Sequence, residues 1–155
     1  MRKARATDLP GDTSPFALGL VMRRAHDRAA GELAAAVRPL GLGLRHFAVL
    51  IELAKQSPQS QRELGEKIGR DTAGMVRIVD DLEEAGYAVR RPHPGDRRIR
   101  AVEMTPAGLE AFDAAHDAAQ PIAEALVSHL RPGEAEQLMD LLTRFTYPSG
   151  GPESP

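Results

Sequence analysis

The sequence predicts a mainly α-helical fold that carries one small β-hairpin. Three observations support this. Aromatic residues are only 4% of the 155 and tryptophan is absent, so leucine, isoleucine, valine, methionine and alanine must fill the core, a composition that favours helix. Apolar residues recur at helical spacing through most of residues 14–146. Only around residues 87–104 does the pattern change, where two short segments flank the dense turn chemistry of Pro92-His93-Pro94-Gly95-Asp96.

Residues 1–13 read as a flexible tail with Arg2, Lys3 and Arg5 as a small basic arm. Ser14-Pro15 then offers an N-cap followed by proline at the first helical position. A helix is expected from there to about Arg38, with Phe16, Leu20, Val21, Leu33 and Val37 among its apolar positions, and Pro39, Gly41 and Gly43 end it. A second helix covers 45–55, its stripe drawn as Phe47, Leu50, Ile51 and Ala54. A third starts near Ser60, carries Leu64 and Ile68, pairs Glu63 with Lys67 at i,i+4, and stops at Gly69. Asp71 caps a fourth, which ends at Gly86 and turns Met75, Ile78, Val79 and Leu82 inward. Two helices joined by a tight glycine-containing turn make a helix-turn-helix. Strands at 87–91 and 99–104 follow it, and a hairpin in that position is a wing. Thr105-Pro106 opens a long helix marked by Leu109, Phe112, Ile122, Leu126 and Leu130, which Pro121 is expected to kink or interrupt. Pro132 opens a last helix with Leu138, Leu141, Leu142 and Phe145. Residues 147–155 are rich in proline, serine and glycine and read as disordered.

The charge distribution says more than the net charge of −2. Tyr87–Arg100 holds Arg90, Arg91, Arg97, Arg98 and Arg100 against one acid, Asp96, whereas 105–146 holds only Arg131 and Arg144 against seven acids. A local basic patch of this kind steers a protein to phosphates. No apolar run approaches the roughly 18 residues of a membrane span. The basic start has no apolar stretch behind it, so no secretory signal is expected and a cytoplasmic location is. The absence of cysteine excludes disulfides, thiolate zinc sites and cysteine redox switches. There is no phosphate-binding glycine loop with lysine, no nucleophile elbow and no HExxH, so no enzyme, catalytic residue or cofactor is expected. His26, His46, His93, His116 and His129 are scattered, and Asp113 with His116 is too sparse a pair for a metal site.

The element order and two stretches of text resemble the MarR family of winged helix-turn-helix transcriptional regulators. GEKIGRDTAGMVRIVDDLEEAGYAVRR is similar to that family's recognition helix and first wing strand. GDRRIRAVEMTPAG is similar to its wing signature, carried here by Asp96, Arg98, Val102, Met104, Thr105 and Gly108. The resemblance covers residues 14–146 as one domain. It implies a DNA-binding lobe at about 45–104 and dimerisation helices at 14–40 and 105–146, so the partners are double-stranded DNA and a second copy of the chain. On the recognition helix Thr72, Ala73, Val76 and Arg77 face outward, with Arg70 and Thr72 placed to hold phosphate near its N-terminus. Arg91, Arg97, Arg98 and Arg100 make the wing cationic, as minor-groove contact requires; by resemblance Arg98 enters that groove and Asp96 braces the wing.

The family also implies a small aromatic or phenolic effector. Arg23, Arg24, His26, His46 and Phe47 are the polar and aromatic residues available for it, although a hydrogen-bonded core role suits His46 better. The leading function is therefore a ligand-responsive repressor that binds a pseudo-palindromic operator as a homodimer. The recognition helix also departs from the family. Ala73, Gly74 and Val76 stand where serine or threonine is usual, Asp81 stands where a base is common, and glycine within a helix costs about 1 kcal/mol relative to alanine. These residues define a second reading, a winged-helix interaction module or a regulator with weakened DNA binding.

Overall fold

Among the described residues, six α-helices and three short strands follow one another in the computed structural model, which describes residues 14–93, 95 and 99–148. Helix α1 spans Ala17–Val37 and continues into a 3-10 turn at Arg38–Leu40, closed by Gly41. Helix α2 is Leu44–Lys55, strand β1 Gln59–Ser60, helix α3 Gln61–Ile68 and helix α4 Thr72–Glu84. Strands β2, Ala88–Pro92, and β3, Arg100–Met104, form the hairpin, followed by α5, Pro106–Val127, and α6, Glu134–Thr146. The sheet is antiparallel with order β1-β3-β2; Arg90 lies opposite Val102, and Gln59 opposite Val102 on the other edge. Two compact units divide between Ala119 and Gln120. No single helix among the described residues is long and apolar enough to cross a membrane.

The first unit holds the core. Val49, Leu50 and Leu53 of α2, Leu64 of α3, and Met75, Ile78, Val79 and Leu82 of α4 meet Val102 of β3 and Ala115 of α5. Phe47 stacks on Phe112 with ring centroids 5.4 Å apart. The inward stripe of α4 is the one its periodicity predicts. The stripe of α2 is not: His46, Val49, Leu50 and Leu53 are buried, while Ala54 is exposed. The apolar set drawn from sequence was rotated by one position, because a histidine occupies a buried place on that face.

Other boundaries also move. Ser14 does not cap α1 at Pro15; its hydroxyl takes the Phe16 N–H at 3.4 Å, and its carbonyl takes the Ala17 N–H at 3.1 Å, a turn that delays the helix. Glu63 does not pair with Lys67. It completes a capping box, accepting the Ser60 N–H at 2.7 Å while Ser60 Oγ accepts the Glu63 N–H at 3.2 Å. The Ser60 hydroxyl and backbone N–H hold the Glu63 carboxyl below the usual carboxylate range. Lys67 instead donates to Gln59 Oε1 at 2.6 Å. The β1 strand was not expected at all. Gln59 is only 1% exposed, and its Nε2 donates to the Glu52 and Gln56 carbonyls at 2.6 and 2.5 Å, so its amide is buried without an orphaned atom.

Helix α5 runs uninterrupted through Pro121, so of the expected kink or break the break does not occur. Proline removes one backbone donor there, but Pro121 is exposed, so water can satisfy the carbonyl it leaves free. The buried residues of α5 are Gly108, Ala111 and Ala115, small enough for the helix to lie close to the hairpin, while Leu109 is 50% exposed. Pro132 precedes α6 rather than opening it; Gly133, with φ 84°, is its N-cap. No residue of α6 is buried, and Leu138, Met139, Leu141, Leu142 and Phe145 all lie exposed. In α1 only Ala36 and Val37 are buried, while Leu18 and Leu20, and Phe16 just before the helix, are exposed.

Candidate nucleic-acid interface

The helix-turn-helix is set by its turn and its cap. Gly69 adopts φ 65°, a left-handed conformation that ends α3. Asp71 Oδ1 then accepts the Gly74 N–H at 2.7 Å to start α4. A Cβ on Gly74 would stand 2.8 Å from that same oxygen. A side chain at this position would require only that the Asp71 carboxylate shift, so the cap does not by itself demand glycine.

With Met75, Ile78, Val79 and Leu82 buried, Thr72, Ala73, Val76 and Arg77 are all exposed on the opposite side of α4, as is Arg70 just before it. Asp80 and Asp81 are the acids that would neutralise Arg77, and both are engaged elsewhere. Asp80 Oδ1 is 2.7 Å from Arg90 Nη2. Asp81 Oδ2 is 2.8 Å from His46 Nε2 and 3.4 Å from Arg45 Nη2. Among the described residues no carboxylate lies within ion-pair reach of Arg70 or Arg77.

His46 is 6% exposed and both its ring nitrogens are occupied. Nδ1 accepts the Gly43 N–H at 2.9 Å, so Nε2 carries the proton and donates to Asp81. The pair ties the start of α2 to the middle of α4. The hydrogen bond from His46, reinforced by the charge of Arg45, holds the Asp81 carboxyl below its ordinary value. A lowered folded value contributes stability that is present above the unfolded carboxylate value, about 3.9, and is lost as pH falls through the folded one. The difference in urea midpoint between the wild type and Asp81→Asn is therefore expected to stay constant above about pH 5 and to close below about pH 4. A difference unchanged across that acid range would show that the carboxylate form contributes nothing.

The wing residues divide. Arg90, counted with the basic patch, is not a free cation: its side chain is 17% exposed and it binds Asp80, Glu83, Gln61 Oε1 at 3.0 Å and the Val76 carbonyl at 3.2 Å. Sequence alone gave no sign of these contacts, which bridge residues up to 29 apart. Arg91 pairs with Glu103 at 3.0 Å yet stays 61% exposed, and Arg100 is exposed. Asp96, Arg97 and Arg98 lie outside the described residues, as do the basic tail at 1–13 and residues 149–155.

The expected effector residues come from two neighbouring helices, α1 and α2. Arg23, Arg24 and His26 are exposed on α1, and Phe47 is half-buried against Phe112. A cleft of about 600 Å³ is lined by Arg38, Arg45, His46 and the intervening Gly41–Leu44 segment. His46 is its one member from the expected set, and its ring nitrogens are already bonded. Among the described residues no three metal-ligating side chains converge.

A helix-turn-helix followed at once by a β-hairpin defines a winged helix-turn-helix protein. Residues 40–99 match the MarR family. The chain is 31% identical over 106 residues to the HTH-type transcriptional regulator BilQ of Clostridium symbiosum, covering 68% of this chain and 72% of that protein. It is 29% identical over 148 residues to the HTH-type transcriptional repressor NicR of Pseudomonas putida, covering 93% and 94%. The crystal structure of CouR from Rhodococcus jostii bound to p-coumaroyl-CoA superposes with a TM-score of 0.77 at 26% identity, over 87% of this chain and 95% of that one. The chain belongs to the MarR family: it is a transcriptional regulator, not an enzyme.

Proposed function

We propose that this regulator is a homodimeric repressor that binds a pseudo-palindromic operator through α4 and the wing and is released by a small aromatic or phenolic ligand. The observation that carries the reading is the outer face of α4. Thr72, Ala73, Val76 and Arg77 are exposed there, while Asp80 and Asp81 are held by Arg90 and by His46 with Arg45. A surface with apolar methyl groups and an uncompensated arginine suits thymine methyls and a guanine edge or phosphate. Asp81, one of the four residues that define the interaction-module reading, thus brings no unpaired negative charge to this face.

The exposed apolar residues of α1, and separately those of α6, support a second copy as their cover, since exposed apolar patches mark interfaces. Two-fold pairing would place two recognition helices about 10 base pairs apart. NicR is a repressor, and CouR binds p-coumaroyl-CoA; these relatives support repression and an aromatic acyl or phenolic effector here. The cleft at Arg38–His46 offers Arg38 and Arg45 to a negatively charged group of such a ligand.

Retention on random DNA or heparin is expected to fall steeply with salt; no retention even at low salt would leave the interaction module instead. Arg98→Ala, in the basic run between β2 and β3, is expected to weaken operator binding at least tenfold, about 1.4 kcal/mol. An anisotropy titration at moderate salt measures this, and unchanged affinity would remove Arg98 from the mechanism.

A further inference from the structure

Arg45, Arg70 and Arg77 come from three different segments: the first turn of α2, the turn before α4, and α4 itself. Together with Gly74, Ile78 and Asp81 they line one cleft of about 510 Å³. Three guanidinium groups there face a single carboxylate, and that carboxylate already accepts from His46 at 2.8 Å. Arg45 reaches Asp81 at 3.4 Å and remains 59% exposed, so it is oriented without being covered. A planar carboxylate is matched by one guanidinium fork. A tetrahedral phosphate presents oxygens to more than one, which is why arginine clusters select it.

We propose that this cleft seats a phosphate group, with Arg45 as its third arm. The proposal rests on the DNA-binding reading and extends it: Arg70 and Arg77 are joined by a residue outside the helix-turn-helix, on α2. The phosphate has two sources, the backbone of a duplex or a free ion. A cleft far larger than one tetrahedral anion has room for the sugars that flank a backbone phosphate.

The test measures duplex affinity against chloride concentration for the full chain and three variants. Arg45→Ala is expected to lower affinity by the same factor on operator and unrelated duplexes and to reduce the log–log salt slope by about 1. Arg45→Lys keeps the charge and is expected to keep the slope. Arg45→Ala also uncovers Asp81, so the Arg45→Ala/Asp81→Asn double variant separates the two roles. A slope still reduced in the double variant supports phosphate contact. A slope restored to the wild-type value means Arg45 only neutralises Asp81 and overturns the proposal for the duplex.

A second arm uses inorganic phosphate with the DNA-free protein, followed by phosphorus NMR line broadening at matched ionic strength. Broadening lost in Arg45→Ala places free phosphate in the cleft. No broadening together with a reduced slope assigns the cleft to the duplex backbone. Neither effect overturns the proposal. If the wild type binds no duplex at all, the DNA-binding reading fails by itself and the phosphate arm alone decides the cleft.

Discussion

Gly108→Ala is expected to destabilise the protein by roughly 3 kcal/mol, the upper end for overpacking, and to lower the melting temperature by about 6–12 °C for a chain of this size. A Cβ on Gly108 would stand 2.0 Å from the Tyr87 carbonyl oxygen and 3.0 Å from Met104 Cγ. The first obstacle is backbone and is itself bonded, accepting the Thr105 N–H at 3.1 Å. Thr105 clamps the same corner: its Oγ1 donates to the Gly86 carbonyl at 2.6 Å and accepts the Gly108 N–H at 3.0 Å. Helix α5 cannot retreat without breaking those bonds or opening the packing of Ala111 and Ala115. Scanning calorimetry reads the shift. A change below about 2 °C, less than 1 kcal/mol at this size, would mean that α5 slides away freely.

Arg90→Met is expected to cost about 2 kcal/mol of stability and to weaken operator binding as well. The Arg90 guanidinium joins β2 to α4 through Asp80 and Glu83 and to α3 through Gln61, while the Arg90 backbone N–H donates to Glu83 Oε1 at 2.6 Å. Removing one partner of a fully buried pair costs about 3–5 kcal/mol. The lower figure follows from solvent at the carboxylates, since Asp80 is 58% and Glu83 32% exposed. The same contacts fix the angle between wing and recognition helix, so their loss is expected to reach DNA binding. Arg90→Lys keeps the charge but not the fork and is expected to recover only part of both losses. Urea unfolding and a duplex titration measure the two effects. Stability within about 0.5 kcal/mol of wild type would place Arg90 among ordinary surface cations.

What the sequence disclosed was local. The Asp71 cap and the spacing of Met75, Ile78, Val79 and Leu82 define which side of α4 faces out, and the hairpin follows from its turn residues. What it hid was tertiary. Arg90 looks identical to its neighbours in a basic run, and only folding brings Asp80, Glu83 and Gln61 around it. His46 reads from sequence as a hydrogen-bonded core residue, but it lies 35 residues from Asp81, so neither its partner nor the neutralised acid could be read from spacing. Strand β1 is two residues long, too short for any alternation to show. The capping box at Ser60 and Glu63 was visible as a pattern, but the competing Glu63–Lys67 pairing fits the same residues. Leu109 was misplaced because helical periodicity ranks a leucine above the glycine and alanines that a close hairpin requires.

Hydroxyl-radical footprinting of an operator recovered by genome-wide DNA pull-down tests most directly whether α4 and the wing lie against a duplex, presented twice by a symmetric pair. Two equivalent protected segments centred about 10 base pairs apart are expected. A single unsymmetrical footprint, or full cleavage at protein concentrations that saturate any binding, would contradict it.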